Sequence, residues 1–266
     1  MQLSDKRLLL KEVLIRLKRV LVAFSGGVDS TFLLKSAVET LGRENVTALI
    51  ADSLTYPVKE REEAINFCIN ENIEFILIKS DEMDDERFTN NDANRCYYCK
   101  KHLYEMAKEI AKKRNIPYIV EGSNYDDLND YRPGRRALEE IGILSPLLEA
   151  KFTKQEIRTV SKELGLPTHS KPSKACLASR VPYGTRITSE VLKKIELAEN
   201  LIEGYGISQV RVRAHDKIAR IEVVPEEFGK ILVKRKEIVS EIKNIGFNYV
   251  TLDLVGYRTG SMNEVL

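Results

Sequence analysis

The sequence from residue 20 to residue 30 reads Val20-Leu21-Val22-Ala23-Phe24-Ser25-Gly26-Gly27-Val28-Asp29-Ser30. Its apolar first half predicts a buried strand, and residues 31–38 predict an amphipathic helix. A strand, a glycine-rich turn and a helix together aim backbone N–H groups and the positive end of a helix dipole at one point. Gly26 and Gly27 let the backbone turn sharply and approach a ligand without a Cβ in the way. The segment therefore predicts a phosphate-binding loop.

The polar side chains of this loop favour the same interpretation. Ser25 and Ser30 supply hydroxyl donors, and Asp29 supplies a carboxylate that can hold Mg²⁺ against bound phosphates. The spacing of the glycines fits neither the dinucleotide-binding pattern nor the Walker pattern. The alternative is a tight strand-to-helix turn that is rich in Gly and Ser for packing reasons alone.

Length and composition limit the class of protein. The chain has 266 residues, of which 43% are hydrophobic and 31% are charged, as expected for a globular protein with one larger and one smaller domain. A net charge of +2 gives no support for a nucleic-acid partner. We find no bilayer-spanning stretch and no signal-peptide pattern, so we expect a cytoplasmic protein without a membrane partner. The four cysteines suggest reduced thiols or a metal site rather than disulfides.

Strand and helix patterns alternate through the first half of the chain. Strands are predicted at 20–24, 46–51, 73–78 and 117–121, and helices at 8–19, 58–70 and 100–114. This order predicts an α/β fold with a parallel sheet and helices on both faces. Ligands of such sheets bind outside the carboxyl ends of the strands. Asp52 and Ser53 follow the second strand and Gly122 follows the fourth, so we expect all three beside a bound nucleotide.

The second half of the chain predicts a smaller module. Residues 169–186 lack a regular period and predict a long loop. A helix at 189–203 and strands at 209–213, 219–224 and 249–255 then predict a small α+β domain. We place the boundary within the long loop, which gives domains 1–182 and 183–266.

The cysteines differ in their surroundings. Cys68 lies in an apolar helical pattern and is predicted to be a small buried side chain. Cys96 and Cys99 form a Cys-x-x-Cys pair between the third strand and the next helix, within reach of one metal ion or of each other. Cys176 stands in the long loop near Lys174 and Arg180, which favour the reactive thiolate. These sulfurs could form a zinc site with His102, a redox dithiol that serves Cys176, or no functional unit.

Several runs of the chain resemble known enzymes. The Ser25–Ser30 loop resembles the pyrophosphate-binding loop of the ATP pyrophosphatases, whose domain is of the adenine nucleotide α-hydrolase type. The other matching runs are Glu121-Gly122-Ser123-Asn124, Asp130-Tyr131-Arg132-Pro133-Gly134, residues 172–180, Arg211-Val212-Arg213 and residues 256–263. Together they resemble the LarE family of sulfur transferases, which contributes to nickel-pincer nucleotide biosynthesis. The resemblance spans nearly the whole chain.

The resemblance implies a substrate and a reaction. The substrate is pyridinium-3,5-biscarboxylic acid mononucleotide, whose carboxylates are adenylated by ATP with Mg²⁺ and then converted to thiocarboxylates. The catalytic residues implied are Asp29 and Cys176. The nucleotide-binding residues implied are Ser25, Gly26, Gly27, Asp29, Ser30, Asp52, Ser53 and Gly122.

Three arginines are predicted to bind the anionic substrate. Arg180 lies in the long loop, and Arg211 and Arg213 alternate on one face of a half-exposed strand. Guanidinium groups match carboxylate and phosphate groups with paired hydrogen bonds. The alternative for the two strand residues is a solvated, charged strand face.

The sequence departs from the best-known branch of the family at one point. In that branch the residue that matches Cys176 gives up its own sulfur and becomes dehydroalanine, and the Cys-x-x-Cys pair is missing. Here Cys96, Cys99 and Cys176 resemble the ligands of the branch that carries a [4Fe-4S] cluster with one iron open for a transferable sulfide. A closed zinc site, no metal, or a sacrificial Cys176 remain as alternatives.

Other functions are also compatible with an adenylating fold. The chain could thiolate tRNA by a cluster-dependent reaction, although the near-neutral charge argues against a nucleic-acid partner. It could instead be a nucleotide sensor without chemistry, which would leave Cys176 and the arginines without a role. The family further implies a homo-oligomer, and a sulfur site that is used repeatedly implies a sulfide source or a sulfur-relay protein as a partner.

Overall fold

A computed structural model describes residues 1–129, 133–258 and 260–265 of the chain. The predicted motif residues Asp130, Tyr131, Arg132 and Thr259 lie outside the described residues. Over the described ranges, the helices are α1 Leu3–Leu17, α2 Val28–Leu41, α3 Val58–Asn70, α4 Glu86–Thr89, α5 Arg95–Lys113, α6 Pro133–Ile141, α7 Pro146–Glu149, α8 Lys154–Glu163, α9 Ser189–Gly204, α10 Phe228–Val233 and α11 Arg235–Ile245. The strands are β1 Val20–Ala23, β2 Val46–Asp52, β3 Glu74–Lys79, β4 Tyr118–Val120, β5 Val210–His215, β6 Ile218–Val223 and β7 Tyr249–Leu252.

The first four strands form a parallel sheet in the order β3-β2-β1-β4. Val20 pairs with Val46 of β2 on one side and with Tyr118 of β4 on the other, so β1 lies in the middle. Its residues Val20, Leu21 and Val22 are fully buried because helices cover both faces of a parallel sheet. The α/β fold predicted from the sequence is confirmed.

The two faces of this sheet have separate cores. Val20 and Val22 pack with α1, α2 and α8, whereas Leu21 between them packs with α5 and α6. Cys68 of α3 belongs to the first core and is fully buried, which raises the pKa of its thiol to about 12. The prediction of a buried Cys68 is thereby confirmed.

The prediction for α5 was wrong at its beginning. The helix starts at Arg95 rather than at residue 100, so Cys96 and Cys99 lie in its first turn and not in a preceding loop. The physical reason is that the row of buried side chains along one face of this helix extends further towards its amino end. Tyr97, one of its members, lies seven residues before the buried Tyr104, and this spacing places both rings on one face of a helix.

The chain divides into two compact units. The first contains residues 1–82 and 96–174, and the second contains residues 83–95 and 175–266. The second unit has its own sheet, in which β6 pairs with β5 antiparallel and with β7 parallel. The separation of the smaller α+β module is therefore visible, whereas the limits 1–182 and 183–266 stay a prediction.

Asn91 explains why residues 83–95 join the second unit. Its side-chain amide donates to the carbonyl oxygens of Val181, Pro182 and Thr185, at 3.3, 2.7 and 2.8 Å. The amide oxygen in turn accepts from the Arg95 guanidinium. Because these partners lie about ninety positions away along the chain, no local pattern predicts this contact.

The long loop predicted at 169–186 is confirmed, except for one short 3₁₀ turn at Leu177–Arg180. Along the described parts of the chain, each helix is too short or too polar to cross a membrane.

Candidate functional site

The phosphate-binding loop has the geometry that its sequence predicts. Helix α2 begins at Val28 with Gly27 as its N-cap, and Gly26 adopts a φ of +60°, in the left-handed region that favours glycine. The hydroxyl groups of Ser25 and Ser30 lie 3.1 Å apart, and the Ser30 hydroxyl also contacts the Gly27 carbonyl oxygen at 3.2 Å. The free N–H end of a 14-residue helix therefore begins directly at this turn.

Strand β4 ends against the same loop. A Cβ on Gly122 would lie 3.0 Å from the Ser30 nitrogen and 3.2 Å from the Asp29 carbonyl carbon. Glycine therefore favours this approach of two backbones, because a Cβ here would force them slightly apart. The predicted contribution of Gly122 to the nucleotide site has a packing basis, and contact with the nucleotide itself stays a prediction.

Replacing Gly122 by alanine should separate the end of β4 from the phosphate-binding loop. We expect the free energy of unfolding in urea to fall by about 1–3 kcal/mol, because the added methyl group meets backbone atoms that cannot rotate away. Gly229→Ala is a matched control, since its Cβ would have no atom within 4 Å and it lies inside α10. Equal stability of the two variants would contradict the close approach.

Asp29 occupies the first turn of α2 and is mostly buried. Its carboxylate forms an ion pair with Lys154 and accepts a 3.4 Å hydrogen bond from the Asn124 side chain. Burial raises the pKa of Asp29, and this effect outweighs the opposing influence of Lys154. A carboxylate at the mouth of a phosphate-binding loop fits Mg²⁺, which prefers carboxylate and phosphate oxygens. Lys154 is not among the site residues that the sequence predicts, although the capping box at Thr153 and Glu156 marks it as the first residue of α8.

A cavity of about 320 Å³ opens beside the loop. Ala23, Leu49, Ala51 and Leu103 give it apolar walls, and the phosphate-binding loop closes one end. The remaining lining residues are Phe24, Ser25, Gly27, Asp29, Ser30, Tyr56, Lys100, Tyr104, Glu121, Gly122, Ser123 and Asp127. An apolar slot that ends in backbone N–H groups suits a nucleotide, with the base in the slot and the phosphates at the loop.

Helix α5 contributes Lys100, Leu103 and Tyr104 to this cavity. These three residues are not predicted from the sequence, because nothing in the local pattern of a charged helix indicates which of its side chains face a cavity. Burial raises the pKa of Tyr104 well above its usual value, and the neighbouring Glu121 and Cys99 add to the effect. Cys99 directly precedes Lys100, which lines the cavity.

Asp52 and Ser53 are engaged within the protein. Asp52 forms an ion pair with Arg61, and Ser53 contacts Glu82 and the Thr55 hydroxyl, the latter at 2.8 Å. Of this segment, Ala51 and Tyr56 line the cavity. A role of Asp52 and Ser53 in nucleotide binding stays a prediction.

The Cys-x-x-Cys pair occupies one face of the first turn of α5. Cys96 and Cys99 are both half-buried thiols, three residues apart, so their side chains lie side by side. Gly134 of α6 packs against this turn, since a Cβ there would lie 3.2 Å from the Cys96 carbonyl oxygen. His102, the fourth ligand of the alternative zinc site, is paired with Asp81.

A metal site is not formed by the side chains as they stand. Within the described ranges, no group of three or more His, Cys, Asp or Glu residues is arranged to hold a metal ion. The structure places Cys96 and Cys99 in the first unit and Cys176 in the second. The three-cysteine site therefore stays a prediction.

Cys176 lies in the second unit with an exposed side chain and a firmly held backbone. Its carbonyl oxygen accepts from the Ser179 N–H at 3.0 Å, the Ser179 hydroxyl at 2.8 Å and the Arg180 guanidinium at 2.9 Å. The same guanidinium donates to the Ala175 carbonyl oxygen at 2.6 Å. The loop therefore presents the thiol while fixing the main chain beneath it.

The Arg180 side chain is fully buried, whereas a loop arginine was expected to be available for substrate. Its Nε and Nη2 atoms each donate to the Glu199 carboxylate at 2.9 Å. With the bonds to Ala175 and Cys176, all three guanidinium nitrogens are engaged inside the protein. Arg180 acts first as a support of the Cys176 loop, and a direct contact with substrate stays a prediction.

Arg211 and Arg213 share one face of β5 as predicted, but the strand is buried rather than half-exposed. The reason is a set of carboxylates from other elements that face these arginines. Arg213 donates to Glu222 at 2.7 Å and to the Ser179 carbonyl oxygen at 3.0 Å. The Arg211 guanidinium lies 5.2 Å from the centre of the Tyr257 ring.

The three arginines give this region an excess of positive charge. Burial lowers the pKa of Arg211 to about 10, and the nearby Arg180 lowers it further, against the attraction of Glu199. With Arg220, which pairs with Glu222 and Asp253, four guanidinium groups face the three carboxylates of Glu199, Glu222 and Asp253. The Arg213 Nε atom is buried and makes no hydrogen bond with any described residue. A buried donor without an acceptor and a surplus of positive charge suit an anion.

Comparison with known proteins agrees with this organisation. A model of the NAD synthase family matches residues 7–117, which contain the phosphate-binding loop and most of the parallel sheet. The chain is 38% identical to the pyridinium-3,5-bisthiocarboxylic acid mononucleotide synthase of Lactiplantibacillus plantarum, over 99% of this chain and 96% of that protein.

Two further relatives carry no assigned activity. An uncharacterized protein of Synechocystis sp. is 42% identical over 97% of this chain and 96% of its own length. An uncharacterized protein of Methanocaldococcus jannaschii is 33% identical over 91% of this chain and 92% of its own length. The near-complete match to the synthase, together with the phosphate-binding loop, means that the chain belongs to the LarE family, a branch of the ATP-using PP-loop superfamily.

Proposed function

We propose that this protein is an ATP-dependent sulfurtransferase that converts pyridinium-3,5-biscarboxylic acid mononucleotide to the corresponding bisthiocarboxylic acid. The observation that carries the proposal is that the phosphate-binding loop and the helix of the two paired cysteines line the same cavity. The phosphate-binding loop closes one end, and Lys100, Leu103 and Tyr104 line the cavity immediately after the Cys96–Cys99 turn. A site for ATP and a pair of thiols therefore meet on α5.

The activating step is an adenylation. A ring carboxylate oxygen attacks the α-phosphorus of ATP, the bond to the bridging oxygen breaks, and pyrophosphate leaves. The N–H groups at the start of α2 and the hydroxyls of Ser25 and Ser30 would bind the departing pyrophosphate. Asp29 would hold Mg²⁺, which supplies charge neutralisation for the phosphates.

The second step forms the carbon–sulfur bond. A sulfur nucleophile attacks the acyl carbon of the adenylate, and AMP leaves with the electrons of the broken carbon–oxygen bond. Arg211 and Arg213 would bind the phosphate of the substrate, supported by the positive surplus around them. Arg180 would act on this step indirectly, through the carbonyl groups that it holds on either side of the reactive loop residue.

Cys96, Cys99 and Cys176 would be the ligands of a [4Fe-4S] cluster. The paired thiols on one helical turn and the exposed thiol of Cys176 are donors of the type that iron–sulfur clusters bind. When bound, such a cluster supplies a transferable sulfur without consuming the protein. The competing outcomes are a sacrificial Cys176 and a zinc site.

Three measurements on anaerobically purified protein test the proposal. We expect pyrophosphate release that needs the pyridinium substrate and is not induced by tRNA. We expect about four iron atoms per chain, and a protein mass that is unchanged after several turnovers with sulfide. Asp29→Asn should lose the pyrophosphate release. Pyrophosphate release that depends on tRNA would contradict the proposed substrate. A protein mass that falls by one H₂S after turnover would identify Cys176 as the sulfur donor.

A further inference from the structure

The carbonyl oxygens of the phosphate-binding loop are held by two residues outside it. The Tyr56 hydroxyl donates to the Ser25 carbonyl oxygen at 2.6 Å. The Lys171 ammonium group donates to the Gly26 carbonyl oxygen at 3.2 Å. Two consecutive peptide groups are therefore anchored by side chains from outside the loop.

Helix α3 holds Lys171, and it begins two residues after Tyr56. Lys171 is itself held by Glu60 at 2.6 Å and by Glu63 at 2.7 Å, and its side chain is only 14% exposed. Ala64, one residue after Glu63, packs against the loop, since a Cβ on Gly26 would lie 3.1 Å from the Ala64 Cβ. The loop therefore rests on a rigid helical surface.

Anchored carbonyl groups fix the direction of the neighbouring N–H groups. In a trans peptide the C=O and the following N–H point in opposite directions, and the described residues contain no cis peptide bond. Holding the carbonyls of Ser25 and Gly26 therefore turns the N–H groups of Gly26 and Gly27 away from the Tyr56 hydroxyl and the Lys171 ammonium group. Within the described part of the chain, neither N–H group has a hydrogen-bond acceptor.

We propose that Tyr56 and Lys171 are positioning residues that keep the Gly26 and Gly27 N–H groups directed at the pyrophosphate part of ATP. A glycine-rich turn otherwise rotates its peptide groups at little cost, because its residues accept many backbone conformations. The proposal rests on the proposed function only in that ATP binds at this loop. It adds the residues that fix the direction of these N–H groups.

Both anchors are in the protonation state that donation needs. Burial, followed by the charges of Glu60 and Glu63, raises the pKa of Tyr56, so its hydroxyl stays a donor. Burial alone would lower the pKa of Lys171, but its bonds to the same carboxylates raise it overall. The two carboxylates also balance the lysine charge. Lys171 therefore orients a peptide group rather than attracting phosphate through its net charge.

The test is binding of three probes by calorimetry to the full-length protein and its variants. The probes are α,β-methylene-ATP with Mg²⁺, inorganic pyrophosphate with Mg²⁺, and AMP. We expect Tyr56→Phe to weaken the first two by about fivefold and Lys171→Met by about tenfold, the effects of losing a neutral and a charged hydrogen bond. Binding of AMP should change by less than about twofold, because AMP lacks the groups that the oriented N–H groups bind.

Matched controls separate orientation from general damage. Tyr118→Phe changes an exposed tyrosine at the amino end of β4, and Lys112→Met changes an exposed lysine near the end of α5. Both controls should bind all three probes like the unaltered protein. Unchanged binding by Tyr56→Phe and Lys171→Met, or an equal loss for AMP, would overturn the inference alone. Failure of the unaltered protein to bind α,β-methylene-ATP would overturn ATP use as well.

Discussion

Replacing Cys176 by alanine should lower the rate of thiocarboxylate formation by roughly 10³-fold or more, while pyrophosphate release continues. Adenylation needs the phosphate-binding loop, which lies in the first unit, whereas Cys176 lies in the second. The loop around Cys176 should keep its shape in the variant. Its bonds from Ser179 and Arg180 end on backbone oxygens, which alanine retains. Product by mass spectrometry and pyrophosphate by a coupled assay measure the two steps separately.

The other cysteines turn this result into a test of the sulfur source. If the three thiols hold a cluster, Cys96→Ala and Cys99→Ala should lose the product to a similar extent and lose iron in parallel. If Cys176 is the sacrificial donor, these two variants should retain one round of product formation. Ser170→Ala, an exposed change in the same loop, should behave like the unaltered protein. Full product from Cys176→Ala would remove this thiol from the reaction.

The elements that the sequence predicts well are those whose signal is local. The limits of α3, residues 58–70, agree with the structure, and the four strands of the parallel sheet agree within one residue at each end. The phosphate-binding loop belongs to the same group. Its glycines, hydroxyls and carboxylate lie within six residues, and the strand and helix on either side fix its geometry.

The burial of the arginines was not predictable, because their partners are remote. Alternation along β5 places Arg211 and Arg213 on one face, but it does not say whether water or a carboxylate lies opposite. Glu222 and Glu199 come from a neighbouring strand and from α9, and only the folded chain brings them together. For the same reason β5 is buried, although its charged residues predict a half-exposed strand.

The residues that hold the phosphate-binding loop could not be predicted from the sequence for a related reason. Lys154 lies 125 positions from Asp29, and Lys171 lies 145 positions from Gly26. One of these contacts ends on a backbone oxygen, which every residue has, so the identity of the acceptor carries no signal. The site can thus be located from sequence, while its supporting contacts require the fold.

Replacing Arg180 by methionine should lower the free energy of unfolding by about 3–5 kcal/mol. The change leaves the Glu199 carboxylate, whose side chain is 7% exposed, without its paired donors. Glu199 also accepts from the Val212 N–H at 2.9 Å, so the carboxylate cannot simply turn away. Unfolding in urea, monitored with a spectroscopic probe in the second unit, measures this loss of stability.

The double variant Arg180→Met, Glu199→Gln identifies the origin of that loss. Glutamine keeps an oxygen for the Val212 N–H but carries no charge, so the double variant should recover about half or more of the lost stability. Arg7→Met breaks the exposed pair with Glu163 and should cost less than about 1 kcal/mol. A double variant as unstable as Arg180→Met would mean that packing of the arginine, and not an uncompensated charge, stabilises this loop. The recovered double variant should still release pyrophosphate but form product slowly, because the Ala175 carbonyl then loses its donor from Arg180 and the Cys176 carbonyl keeps only those from Ser179.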